Sequence, residues 1–142
     1  VKEGVSEREY KTEVLSKIVL EQAPIFQQNP RDLDFITEGQ VGLDEQRQKA
    51  GITVGPLIED QLWIRVEKEE YVPIAIIFRI EEWSNYEKNT KEVQQELGSE
   101  IKIEQSGKAG ITGYLTKKGL KKLTNKDYII QIGQRNVKII QG

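Results

Sequence analysis

The sequence contains no histidine, no cysteine and no methionine. Without imidazole there is no Ser-His-Asp or Cys-His nucleophile system and no histidine-ligated zinc. Without thiols, disulfides, thiolate metals, iron–sulfur clusters and cysteine nucleophiles are excluded as well. Acid–base work would fall to carboxylates, lysines and tyrosines, whose ordinary pKa values lie far from neutral pH. The expectation is a chain that is not an enzyme and holds no cofactor and no metal. No window approaches the roughly 18 consecutive apolar residues of a membrane helix. The lack of methionine, with Val1 first, leads to the expectation that a start precedes this sequence, such as a signal peptide or an anchor. Together with zero cysteine, it favours an extracytoplasmic or secreted location.

What is present is ordinary for a folded domain: 37% hydrophobic and 31% charged residues in a chain of 142. A chain of this size buries about 70% of its unfolded surface, enough for one domain with or without an appendage. The net charge of −2 conceals an asymmetry. Residues 1–71 carry 9 basic against 15 acidic groups and residues 72–142 carry 12 against 8, so the halves stand at −6 and +4. Two solvated faces of opposite sign would explain this, as would a basic surface facing a partner.

The most apolar stretch is Tyr71–Ile80, YVPIAIIFRI, which is rich in β-branched residues and reads as a central strand buried on both sides. Ahead of it, Ser6-Glu7-Arg8-Glu9 is an S-x-x-E capping box. Tyr10, Val14, Leu15, Ile18 and Val19 then form an apolar stripe, and Pro24 ends the amphipathic helix they predict. After a turn at Asn29–Asp32, Leu33–Ile36 and Ile52–Val54 read as short strands. The polar stretch Gly42–Gly51 between them fits either a loop or a helical segment. Asp32, Asp34, Asp44 and Glu45 do not match the spacing of a calcium loop. Leu62-Trp63-Ile64-Arg65-Val66 alternates, which predicts a strand joined through Glu67–Glu70 into a hairpin with the Tyr71 strand.

Beyond the central strand, Ser84–Glu87 repeats the capping box and opens a helix through Tyr86, Thr90, Val93 and Leu97 that stops at Gly98. Trp83 reads as a packing residue at its entry. Ile101–Ile103 and Ile111–Leu115 alternate as strands around a turn at Ser106–Gly110. Thr116 caps a short helix anchored by Leu120 and Leu123, Asn125 ends it, and Tyr128–Ile132 supplies a further strand. Two strand–helix–strand crossovers of this kind give an α+β fold, a split βαβ sandwich with one sheet face covered by helices. The predicted division is residues 1–70, a helix and short strands packed on the sheet, and residues 71–142, the sandwich itself.

The order YVPIAIIFR, a helix ending in Leu97-Gly98, then GITGYLTKKGLKKL and DYIIQI, resembles the propeptide and inhibitor module of subtilisin-like proteases over about residues 72–133. The segment Gly113-Tyr114-Leu115-Thr116, followed by Leu120, Leu123 and Ile129–Ile132, carries most of the likeness. The resemblance implies a ferredoxin-like sandwich that docks its open sheet face, here with Tyr114, on a protease. It also implies a C-terminal tail threaded through the substrate groove. Val137 and Ile139 or Ile140 would fill apolar subsites, with Gln141 in the same partner-binding tail and Gly142 nearest the nucleophile. The family often carries an acid just past the last strand, where this chain has Gly133-Gln134-Arg135, and the first 70 residues have no counterpart in the minimal module. Val137–Ile140 also fits an ordinary edge strand. The implied function is a non-catalytic protein-binding module, an inhibitor or folding chaperone of such a protease. The alternative is the exported part of an assembly or membrane-anchored protein that makes protein–protein contacts.

Lys117, Lys118, Lys121, Lys122 and Lys126 form a basic patch that could neutralise phosphates. RNA-recognition sheets need aromatics for stacking, and only Phe78 and Tyr114 are placed for that. With a pI of about 5.4, a solvated lysine face is the stronger reading and nucleic acid is not the expected partner. A small-molecule regulatory sandwich would want a glycine or Asp/Asn after its first strand, where this chain reads Glu81-Glu82-Trp83-Ser84.

Overall fold

The computed structural model describes residues 30–135, with side chains from residue 38 onward. The expected helix at residues 6–23 and the tail at 136–142 lie outside the described residues. Helix α1 (Pro30–Lys49) leads to a two-residue strand β1 (Leu57–Ile58) and helix α2 (Asp60–Lys68). Strand β2 (Val72–Phe78) runs into a 3₁₀ turn at Ile80–Asn85 and helix α3 (Tyr86–Leu97). Strands β3 (Ile101–Gly107) and β4 (Gly110–Leu115) form a hairpin, and helix α4 (Lys117–Leu123) and strand β5 (Ile129–Gln134) complete the described chain. No helix among the described residues is long and apolar enough to cross a membrane.

The sheet order is β1-β5-β2-β4-β3. Its four longer strands have the order and antiparallel pairing of a split βαβ sandwich, and β1 adds a parallel rim next to β5. All seven residues of β2 are buried, as its double apolar face requires. Val72, Ile74 and Ile76 share one face with Leu115, Gly113 and Ile111 of β4, and Ile76 also pairs with Ile132 of β5. Val93 and Leu97 of α3, Leu120 and Leu123 of α4, and Leu62 and Val66 of α2 belong to the same core cluster.

Local signals placed the second half well. Thr116 caps α4, its hydroxyl accepting from the Gly119 amide at 3.1 Å. Gly98 follows α3 at φ +55°, its amide bonded to the Gln94 carbonyl. Trp83 is buried and its indole donates to the Phe78 carbonyl at 3.2 Å. The capping box expected at Ser84 is not made. Ser84 lies inside the 3₁₀ turn, and α3 starts at Tyr86 with no side-chain cap from Asn85. Tightening the backbone before a helix satisfies its first amides in another way.

Three strands expected in the first half are absent. Leu33–Ile36 lies within α1, and Ile52–Val54 is a loop. A four-residue stretch with three apolar positions cannot separate strand from helix by period alone. The buried positions Gly39, Leu43 and Arg47 continue a helical repeat through the polar stretch that follows. Leu62–Val66 is α2, so the hairpin with β2 does not form. Leu62 and Val66 satisfy both a two-residue and a helical period. Ile64 decides between them, and it is 46% exposed rather than buried beside them.

The second sheet face is not open. Ala75, Ile77, Thr112 and Gln131 alternate with the core face and are all buried. α1 packs against β5 and β1 and contributes to this cover.

Candidate docking cleft at the sheet edge

Of the residues expected to meet a partner, only Tyr114 is described. It lies in β4 between Pro73 and Lys102 and is half-buried, on the face where Thr112 is covered. Val137, Ile139, Ile140, Gln141 and Gly142 lie outside the described residues. The lysine patch is contiguous along α4 but much of it is engaged. Lys117 pairs with Glu67 of α2, Lys122 donates to the Glu96 carbonyl at 3.2 Å, and Lys126 pairs with Glu96 and approaches Glu92. Lys118 and Lys121 are exposed. Lys117, Lys122 and Lys126 thus tie α4 and the turn after it to α2 and α3. Burial, then Glu92 and the further carboxylates Glu96 and Glu82, push the nearby Tyr128 phenol well above its ordinary range.

The two sheet edges differ. β3 is long but blunted, with exposed Lys102, Glu104 and Gln105 and a register shift between Ile103 and Gln105. Charge and a bulge are the usual protections of an edge strand against stray pairing. β1 is only two residues long and follows Pro56, so it offers few backbone groups. Beside it, however, lies a cleft of about 760 Å³. Val54, Pro56, Leu57 and Trp63 line it, with Glu59 and Asp60 among its polar groups.

Local chemistry shapes this cleft. Gly55 takes φ +88°, and a Cβ there would come within 2.0 Å of the Thr124 carbonyl oxygen. Its amide donates to Asp127 Oδ1 at 3.0 Å, which fastens the loop beneath the C-terminal end of α4. The turn leaves Val54 51% exposed. Glu59 precedes α2 in extended conformation and Asp60 follows in the first turn, where the helix dipole favours an acid. Burial pushes the Glu59 carboxyl above its ordinary range, an effect partly offset by a hydrogen bond from the Gln134 backbone. Gln131 lines the interior side, its Oε1 buried and without a hydrogen-bond partner.

A second, polar cleft of about 570 Å³ shares Gly51, Ile52 and Thr53 with the first. Arg79 grips Asp44 with both terminal nitrogens, at 2.9 and 3.3 Å, while its Nε donates to the Asp127 carbonyl. Arg47 reaches the same Asp44 carboxylate at 2.7 Å. Burial alone would raise the Asp44 pKa, but bonds from Arg79 and then Arg47 hold it below the usual range. Among the described residues there is no cluster of three or more carboxylates placed to hold a metal.

The sequence alone does not mark Val54, Glu59 and Trp63 as a site, because the alternation of Leu62–Val66 reads as a strand with Trp63 on its outer face. Nor does it mark Arg47 and Arg79, which are 32 positions apart in the sequence. The exposed apolar residue beside glycine and proline in Val54-Gly55-Pro56 was the one available signal. Comparison with known proteins returned no match to a family model, a curated protein or a solved structure.

Proposed function

We propose that this chain is a protein-binding module that grips a partner polypeptide at the cleft beside β1 and performs no chemistry of its own. The carrying observation is the pairing of a partly exposed apolar wall, Val54 and Trp63, with the acidic lip of Glu59 and Asp60. Such a surface suits a partner segment that inserts an apolar side chain with a lysine or arginine beside it. Burial disfavours the ionised form of the Glu59 carboxyl, and an incoming cation would relieve that cost. Selection from a random peptide library tests the reading. The expected enrichment is an apolar residue flanked by basic ones, with binding reduced about tenfold by Trp63→Ala, a loss of about 1.4 kcal/mol. Val54→Glu, at an exposed position, should weaken it independently of any effect on folding. Enriched peptides without that pattern, or binding indifferent to both variants, would refute the proposal.

A more specific reading is an inhibitor or propeptide-like chaperone of a subtilisin-like protease. The strand order β5-β2-β4-β3 favours it, being the arrangement that the resemblance implies. Burial of Ala75 and Thr112 leaves this reading to rest chiefly on residues 136–142. Nanomolar inhibition across a panel of such proteases, lost when the chain stops at Arg135, is the expected result. A full-length chain inert toward the panel would leave the other alternative, an exported assembly protein, which light scattering would register as a self-associated species.

A further inference from the structure

We infer that the polar cleft between the C-terminal end of α1 and Arg79 is a binding site for a small oxyanion, a carboxylate or phosphate group, received by Arg47 with Arg79. The inference is independent of the peptide cleft, although the two share the segment 51–53. Arg47 is only 8% exposed. A buried guanidinium requires charge compensation and acceptors for its donors. The acceptor in view is Asp44, and Arg79 already takes that carboxylate with both terminal nitrogens. Two guanidiniums, those of Arg47 and Arg79, therefore share the Asp44 carboxylate. Arg47 Nε is buried with no hydrogen-bond partner at all.

The surroundings are suited to an anion. The end of a helix normally repels one through its free carbonyls. Here three of those carbonyls are capped: Gln46 by the Ala50 amide, Arg47 by Ile52 and Gln48 by Gly51, at 2.9–3.1 Å. Two nearby carboxylates are held in place by neutral donors and line neither side of this cleft. Glu81 accepts from Gln40, and Asp127 accepts from the Gly55 amide. Gln48 and Thr53 line the cleft with an amide and a hydroxyl. Gly51, exposed at φ +76°, lines the cleft with open space where a Cβ would sit. An oxyanion at this place would meet a planar guanidinium fork, the geometry that binds carboxylate and phosphate with two parallel hydrogen bonds.

The test is thermal denaturation of the full chain in sodium phosphate, sodium sulfate and sodium acetate, against sodium chloride at matched ionic strength. The Arg47 Nε–H resonance is followed by NMR in the same titrations. The expected result is a saturable rise in Tm over chloride with a shift of that resonance. A larger response to phosphate and sulfate identifies a tetrahedral ligand, and a larger response to acetate identifies a carboxylate. Arg47→Lys, which keeps the charge and loses the fork, should remove most of the response. Thr53→Ala and Gln48→Ala, both at exposed positions, should weaken it several-fold in chains that fold normally. Equal responses to all four salts, or a response unchanged in all three variants, would overturn the assignment.

Discussion

Two acidic residues, Glu59 and Asp44, are displaced in opposite directions, and the signs of their effects on stability differ accordingly. Glu59 is harder to ionise in the folded chain, so its stabilising contribution is complete below the unfolded pKa. That contribution is lost as pH rises through the raised folded value. Glu59→Gln should therefore raise Tm near neutral pH and leave it unchanged below about pH 4, which scans at several pH values would show. Asp44 is easier to ionise when folded, so its contribution is present above the unfolded pKa and lost as pH falls through the depressed one. Asp44→Asn should lower Tm at neutral pH, with the deficit closing in acid. Gly113 is a matter of space. A Cβ there would come within 2.1 Å of the Lys102 carbonyl oxygen across the β3–β4 pairing. Gly113→Ala should cost roughly 1–3 kcal/mol in chemical denaturation, the range for overpacking a filled site.

At the scale of the element, α2 is the instructive case, because five alternating residues fit a strand and a helix almost equally. Leu62 is fully buried and Ile64 is 46% exposed. Leu62→Ala is expected to cost about 2–5 kcal/mol and Ile64→Ala less than about 0.5, whereas a strand would make both expensive. Helix α4 is held at its start by Thr116. Its hydroxyl receives the Gly119 amide and donates to the Glu100 carboxylate, while the Thr116 amide donates to the Glu100 carbonyl at 3.1 Å. Thr116→Ala should cost about 1 kcal/mol by denaturant titration. These elements depend on one another: α4 leans on the rim of β3 through Glu100 and on α2 through Lys117 and Glu67.

For the molecule as a whole, the first part of the described chain is bound into the sheet of the second. β1 extends the sheet at β5, Leu62 and Val66 complete its core, and Arg65 donates to the Gln134 side chain at 3.2 Å. A chain beginning at Tyr71 would lose that edge and expose the β5 flank of the core. It should melt at lower temperature and with less cooperativity than the full chain, and bind a hydrophobic dye that the full chain does not, read by circular dichroism and fluorescence.

How much of this was legible follows from the range of each signal. Seven consecutive apolar residues specified β2, a glycine specified the end of α3, and a threonine specified the start of α4. Each is a choice made by the backbone within a few residues, so the α+β sandwich could be read from the amino acids in order. The register of Leu62–Val66 against the core, the placing of β1 beside β5 and the burial of the second sheet face could not. They depend on partners far along the chain, such as Gly55 with Asp127, 72 positions apart, and Asp44 with Arg79, 35 apart. Only tertiary packing selects between two periods that a short sequence satisfies equally, and only it brings Arg47 and Arg79 to one carboxylate.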